Sequence, residues 1–172
     1  MKKALLVIDM QNDFITGALG TAEAVKIVPA VDAEICSRIA EGYDVAFTRD
    51  THSEDYLDTQ EGRFLPVVHC VRGTKGWQIC DEISVLTKGW KIFDKPSFGS
   101  LELAGHVAQN NYQEVELIGL CTDICVISNA MCIKAAAPET LIQVKATCCA
   151  GVTPQSHNNA LEAMKMCQVQ II

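Results

Sequence analysis

The run Gly119-Leu120-Cys121-Thr122-Asp123-Ile124-Cys125-Val126 takes an apolar segment through a small-residue turn into a predicted helix, with Cys125 near its start. A thiolate placed there is favoured by helix-terminal N–H groups, so Cys125 is the candidate covalent nucleophile. A free cysteine is only slightly ionised near neutral pH and needs a base. Asp9, directly after the apolar run Ala4-Leu5-Leu6-Val7-Ile8, is the candidate base. Lys95 supplies a cation that would favour the thiolate and hold the carboxylate. Taken singly, each has an ordinary alternative: a core cysteine, a capping aspartate, a solvated lysine.

A second constellation is Asp50-Thr51-His52 followed by His69, one carboxylate and two imidazoles suited to zinc, iron or manganese. Glu54, Asp55 and Glu61 lie in the intervening segment, with Glu61 the preferred fourth donor. The competing reading is that His52 and His69 make loop hydrogen bonds. Together the two constellations suggest attack by sulfur on an amide carbonyl carbon, loss of ammonia, and hydrolysis of a thioester by water that Asp9 activates. The main-chain N–H groups of Cys121 and Cys125 are candidate oxyanion donors if the turn is tight.

Such residues, far apart in sequence, need a scaffold that gathers strand ends. Short apolar runs at 4–8, 45–48, 91–93, 115–118, 141–144 and 169–172 read as strands. Between them, Val25, Val28, Val31, Ile35 and Ile39 recur at helical spacing, 101–110 and 123–137 read as helices, and Thr153-Pro154 caps another. The stretch from 53 to 64 reads as loop. The alternation predicts an α/β fold: a three-layer open sheet of about six mostly parallel strands with helices on both faces. Ligands bind such sheets at the carboxyl edge, where Asp9, Asp50, Lys95 and Cys125 all fall.

A length of 172 residues with 49% hydrophobic content fits one domain over 1–172. The net charge of -7, from 14 basic and 21 acidic side chains without a basic cluster, argues against nucleic acid or an anionic membrane as partner. No apolar run approaches the roughly 20 residues of a membrane span, and a cytoplasmic location is expected. Nine cysteines, an odd number without paired zinc-finger spacing, argue against a disulfide scaffold or structural zinc cluster.

The chain resembles the nicotinamidase/isochorismatase-like cysteine hydrolases in Leu6-Val7-Ile8-Asp9-Met10-Gln11-Asn12-Asp13-Phe14, Thr48-Arg49-Asp50-Thr51-His52, His69 to Gly76, Phe93-Asp94-Lys95-Pro96-Ser97-Phe98, and Gly119 to Val126. The resemblance spans nearly the whole chain in family order. It implies a catalytic triad of Asp9, Lys95 and Cys125, metal ligands Asp50, His52 and His69 with Glu61 as an acidic fourth, and a cis peptide at Leu120-Cys121. It further implies a divalent transition metal, zinc before iron or manganese, a small-molecule amide substrate, and a homo-oligomer. The activity implied is nicotinamide hydrolysis to nicotinate and ammonia in pyridine nucleotide salvage. Phe14 matches one ring-contact position, and Phe64 is the nearest aromatic for the second, because Pro66 stands where the family has its own. Pro96-Ser97-Phe98-Gly99 also replaces the usual Tyr-Ser-Ala-Phe, which reshapes the pocket floor. The alternatives are a related amidohydrolase of another small amide or ureido compound, and a non-catalytic regulatory or scaffold protein on the same fold.

Overall fold

The computed structural model describes residues 2–172. Six strands form one sheet: β1 Lys3–Ile8, β2 Asp44–Asp50, β3 Lys91–Lys95, β4 Glu114–Leu120, β5 Leu141–Ala150 and β6 Gln170–Ile171. Every pairing is parallel and the order is β3-β2-β1-β4-β5-β6. The chain winds one way from β1 to β3 and the other way from β4 to β6, which opens a crevice beyond the carboxyl ends of β1 and β4.

Helices α1 Asn12–Ile15, α2 Ala22–Ala40, α3 Gln60–Phe64, α4 Asp81–Ser84, α5 Leu101–Asn110, α6 Ile127–Ala136 and α7 Pro154–Met166 complete the chain. One face of the sheet packs on α2 and the other on α5, α6 and α7, giving two separate apolar clusters. Because both faces are covered, Ala4 to Ile8 are all buried, which is why this strand reads as an unbroken apolar run.

The start of α2 is fixed by Thr21, whose side chain accepts from Ala24 N–H. Its buried stripe is Ala24, Ile27, Val31 and Ile35, whereas Val25 and Ile39 are exposed, against expectation. Counting back from Ile35 and Val31 at 3.6 residues per turn reaches Ile27 and Ala24, and Val25 is rotated toward solvent. The segment expected to be loop contains a 3-10 turn, Tyr56–Asp58, and the single turn α3, which Thr59 caps through Gly62 N–H. At α7 the expected Thr153-Pro154 start is a reciprocal Thr153/Ser156 capping box.

Beneath α2, Glu116 of β4 is fully buried beside Glu34, with Lys145 of β5 on Glu34 and Arg38 Nη2 2.8 Å from Glu116 Oε2. Neither Glu116 oxygen has an aligned hydrogen bond, so burial pushes its carboxyl up to about 7 despite Arg38. The stability this proton confers is complete below the unfolded pKa and is lost as pH rises through the folded one. Glu116→Gln is therefore expected to gain unfolding free energy relative to the parent between pH 5 and 8, on the order of 1 kcal/mol. Urea unfolding at both pH values measures it, and a pH-independent difference would refute it.

Candidate active site

Four strand ends supply the site. Asp9 follows β1 with a positive φ of 46°, which turns its carboxylate back over the crevice. Asp50 and Lys95 end β2 and β3 and are register partners. Cys125 sits in a π-helical turn, Thr122–Val126, between β4 and α6. The approach of β4 to β1 requires Gly119: its φ is 112°, and an added Cβ would meet Ile8 O at 2.1 Å. The following peptide, Leu120-Cys121, is cis, as the resemblance implied.

Lysine is long enough to pass the end of β2, and Lys95 uses that length. Its Nζ lies 2.7 Å from Asp9 Oδ2, 3.4 Å from Cys125 Sγ and 3.4 Å from Asp50 Oδ1, and donates to Ser97 O at 3.1 Å. Asp9 Oδ1 accepts from Thr48 Oγ1 at 2.5 Å. Asp9 and Lys95 are at most 1% exposed and Cys125 is 5% exposed, so these charges interact without much water between them.

Burial raises the Asp9 carboxyl and makes it a better base, while Lys95 pulls the other way. Burial would discharge Lys95, but Asp9, Cys125 and Asp50 outweigh it and hold the ammonium. The Cys125 thiol is pushed well above its ordinary value by burial and by Asp9, against Lys95, so it rests protonated. Within the turn, the Ile124 and Val126 N–H groups both donate to Cys121 O.

Asp50 faces two ways. Its second oxygen, Oδ2, lies 3.0 Å from His52 Nε2 and 3.4 Å from His69 Nε2, and Glu61 Oε1 closes the group at 3.7 and 3.9 Å from the same two nitrogens. Tetrahedral ligation at zinc distances spaces neighbouring donors about 3.3 Å apart. All four donor atoms lie within 4.8 Å of one another, and the His69 ring is set by Nδ1 against Val67 O at 2.7 Å, leaving Nε2 for the cluster. The donor set therefore fits a divalent transition metal. Burial pushes Asp50 up, but hydrogen bonds to His52 and His69 and the Lys95 charge prevail and hold it well below the carboxylate range. His69 is raised, because Asp50 and Val67 O outweigh burial. Burial also raises Glu61.

A cavity of about 50 Å3 joins the two groups, lined by Phe14, Leu19, Leu65, Phe98, Ile124, Cys121 and Cys125 with Asp50, Glu61 and His69. Phe14 lies against His69, ring centroids 5.7 Å apart. Phe64 does not join the wall, correcting the sequence expectation: it is 85% exposed. In the single turn of α3, Gly62 faces inward and Phe64 outward, and Leu65, just past the turn, lines the cavity instead. A larger groove of about 820 Å3 between α1, α2 and α4 contains Cys80, whose thiol burial raises to about 11, but none of the triad or metal-donor residues.

Sequence reasoning gave no role to three supports, of which Thr48 and Gln11 are buried and Asp13 is half-buried. Thr48 holds Asp9; its signal is the polar pair Thr48 and Asp50, two apart on one strand face. Gln11 clamps Asp50 by accepting from its N–H at 2.7 Å and donating to its carbonyl at 2.9 Å. Asp13 accepts from Cys70 N–H at 2.8 Å and so fixes the residue after His69. Neither Gln11 nor Asp13 carries a local signal, because their partners lie 39 and 57 residues away.

A doubly wound parallel sheet with a cysteine turn at its switch point defines the class of α/β hydrolytic domain to which this geometry corresponds. The chain belongs to the isochorismatase domain family, whose pattern matches residues 3–172. It is 23% identical to a nicotinamidase of Saccharomyces cerevisiae and 25% identical to the nicotinamidase/pyrazinamidase of Mycobacterium tuberculosis, in each case over 98% or more of both chains. Among solved structures it resembles a Pyrococcus horikoshii pyrazinamidase in complex with zinc, at 29% identity and TM-score 0.84 over 100% of this chain and 99% of that one. It also resembles an N-carbamoylsarcosine amidase from Thermoplasma acidophilum, at 28% identity and TM-score 0.81 over 99% and 95%.

Proposed function

We propose that this chain is a nicotinamidase, hydrolysing nicotinamide to nicotinate and ammonia on a single hydrolase domain. The observation that carries the reading is one ammonium, Lys95, in contact with Asp9, Cys125 and a carboxylate of the metal-donor group. In the reaction, Asp9 takes the Cys125 proton as sulfur attacks the amide carbonyl carbon. Lys95 offsets the developing charge and keeps both partners in place. The Cys121 and Cys125 N–H groups are the donors to the tetrahedral oxygen. Asp9 then gives its proton to the departing nitrogen, ammonia leaves, and a thioester remains. Asp9 next removes a proton from water, which attacks the thioester carbonyl and releases nicotinate, and the sulfur regains its proton.

Asp50, His52, Glu61 and His69 would hold a divalent transition metal, which when bound supplies a Lewis-acid anchor for a ring heteroatom. Phe14, Leu65 and Phe98 would wall the ring in the same cavity. Outer partners of metal ligands cost about 10–100-fold in affinity when removed, so His69→Ala should weaken zinc by at least about a hundredfold. Competition against a chromophoric chelator measures this, and an unchanged affinity would remove His69 from the donor set.

A second reading, a ureido amidase, is supported by the likeness to the carbamoylsarcosine amidase and by an aliphatic residue, Leu65, where an aromatic wall was expected. Ammonia release from nicotinamide and from N-carbamoyl amino acids separates the two. Turnover of only the latter would overturn the nicotinamidase proposal.

A further inference from the structure

Asn129 lies in the first turn of α6, is fully buried, and has all its side-chain hydrogen bonds directed at the site's supporting backbone. Its Nδ2 donates to Cys125 O at 2.8 Å and to Phe98 O at 3.1 Å, and its Oδ1 accepts from Ser100 N–H at 3.0 Å. One amide thus joins the nucleophile's turn to the segment 96–100 that leaves β3, which includes the cavity wall residue Phe98.

The same seat is tight from a second side. A Cβ built on Gly99 would lie 2.9 Å from Cys132 Sγ and 3.4 Å from Ser128 O, so the loop backbone rests directly on α6. Gly99 has no positive φ, and its requirement is for space alone. The triad also has supports outside this seat: Thr48 on Asp9, Asp50 on Lys95, and the Ile124 and Val126 N–H groups on Cys121 O in the Cys125 turn.

We propose that Asn129 is a positioning residue for substrate specificity: it docks the 96–100 segment on α6 and thereby holds Phe98 against the substrate ring. The idea rests on the nicotinamidase reading for its kinetic measure only. If the loop lifts, the buried amide loses Phe98 O and Ser100 N–H but keeps Cys125 O, and the wall moves; Lys95 gives up Ser97 O and keeps Asp9, Asp50 and Cys125.

Asn129→Asp keeps the acceptor but removes both donors. It should raise KM for nicotinamide about tenfold and change kcat less than about threefold. A loss of folded protein would do the opposite, lowering apparent kcat at constant KM. If Asn129→Asp fails to fold, Gly99→Ala tests the same seat: KM should rise, and adding Cys132→Ala should restore it by giving the new methyl room. Hydrogen exchange over 96–100 follows the seat without any substrate. It should speed up in Asn129→Asp and Gly99→Ala and return in the Gly99→Ala/Cys132→Ala pair. Absence of nicotinamide turnover in the parent would count against the nicotinamidase reading and leave the exchange test standing. Parent-like exchange, KM within about twofold, or no recovery in the double variant would overturn the role of Asn129.

Discussion

Cys125→Ala is expected to lower nicotinamide kcat by about ten-thousand-fold or more, because residues acting as one nucleophilic unit lose nearly everything when the attacking atom goes. The thiol rests protonated beside Asp9 and Lys95, and no other cysteine shares that contact with the ammonium. Cys121 lines the same cavity, but burial and Asp123 raise its thiol to about 12, and its proposed part is its N–H. Zinc affinity should stay near the parent value, since the metal donors Asp50, His52, Glu61 and His69 are untouched. Ammonia release and electrospray mass after a short incubation read both arms: the parent passes through an acyl adduct and the variant forms none. Residual kcat above about one per cent of the parent would show that sulfur of Cys125 is not the nucleophile.

Lys95→Met should cost both catalysis and stability. Its Nζ compensates two buried carboxylates, Asp9 at 2.7 Å and Asp50 at 3.4 Å, and methionine leaves them facing one another without a cation. Removing one partner of a buried ion pair costs roughly 3–5 kcal/mol. Asp9 already sits above its ordinary pKa through burial, and it rises further without Lys95. A raised carboxyl confers stability that is complete below the unfolded pKa and lost as pH rises through the folded one. The gap between parent and variant should therefore widen from pH 5 to pH 8 in urea unfolding. A gap that narrows, or a loss below about 1 kcal/mol, would mean that the two carboxylates are compensated by other groups. Ammonia release should fall at least about a hundredfold, because base and nucleophile lose their common organiser.

Single side chains in this centre serve two groups at once. Asp50 presents one oxygen to Lys95 and the other to His52 and His69. Gln11, in turn, fixes Asp50 through its main chain. Substitutions at Asp50 should consequently disturb metal binding and triad geometry together, while those at Glu61, further from Lys95, should affect the metal alone. Comparing chelator competition with Cys125 alkylation for Asp50→Asn and Glu61→Gln measures that difference.

Much of this protein was legible in the sequence for a definite reason. A parallel sheet buried on both faces leaves uninterrupted apolar runs, so β1 and the centre of β4 announced themselves, and polar residues ending those runs marked the carboxyl edge. Asp9, Lys95 and Cys125 were singled out from strand ends, and Asp50, His52, Glu61 and His69 from donor types, each with the family's motif order, and the fold brings each set together. What it could not convey was direction. Phe64 and Leu65 are neighbours of similar hydrophobicity, and only the single turn of α3 decides that Leu65 meets the cavity while Phe64 meets water. The same holds for the α2 stripe, where one residue of phase turned Val25 outward and Ala24 inward.

The chain by itself determined the element order, the residues able to do chemistry and the edge of the sheet where they end, because these depend on local pattern. Tertiary structure alone decided that Lys95 crosses β2 to reach both Asp9 and Cys125, and that Thr48, Gln11, Asp13 and Asn129 support the site. Those contacts join residues up to 86 positions apart, Lys95 and Asp9, and contacts over such distances leave no period in the sequence.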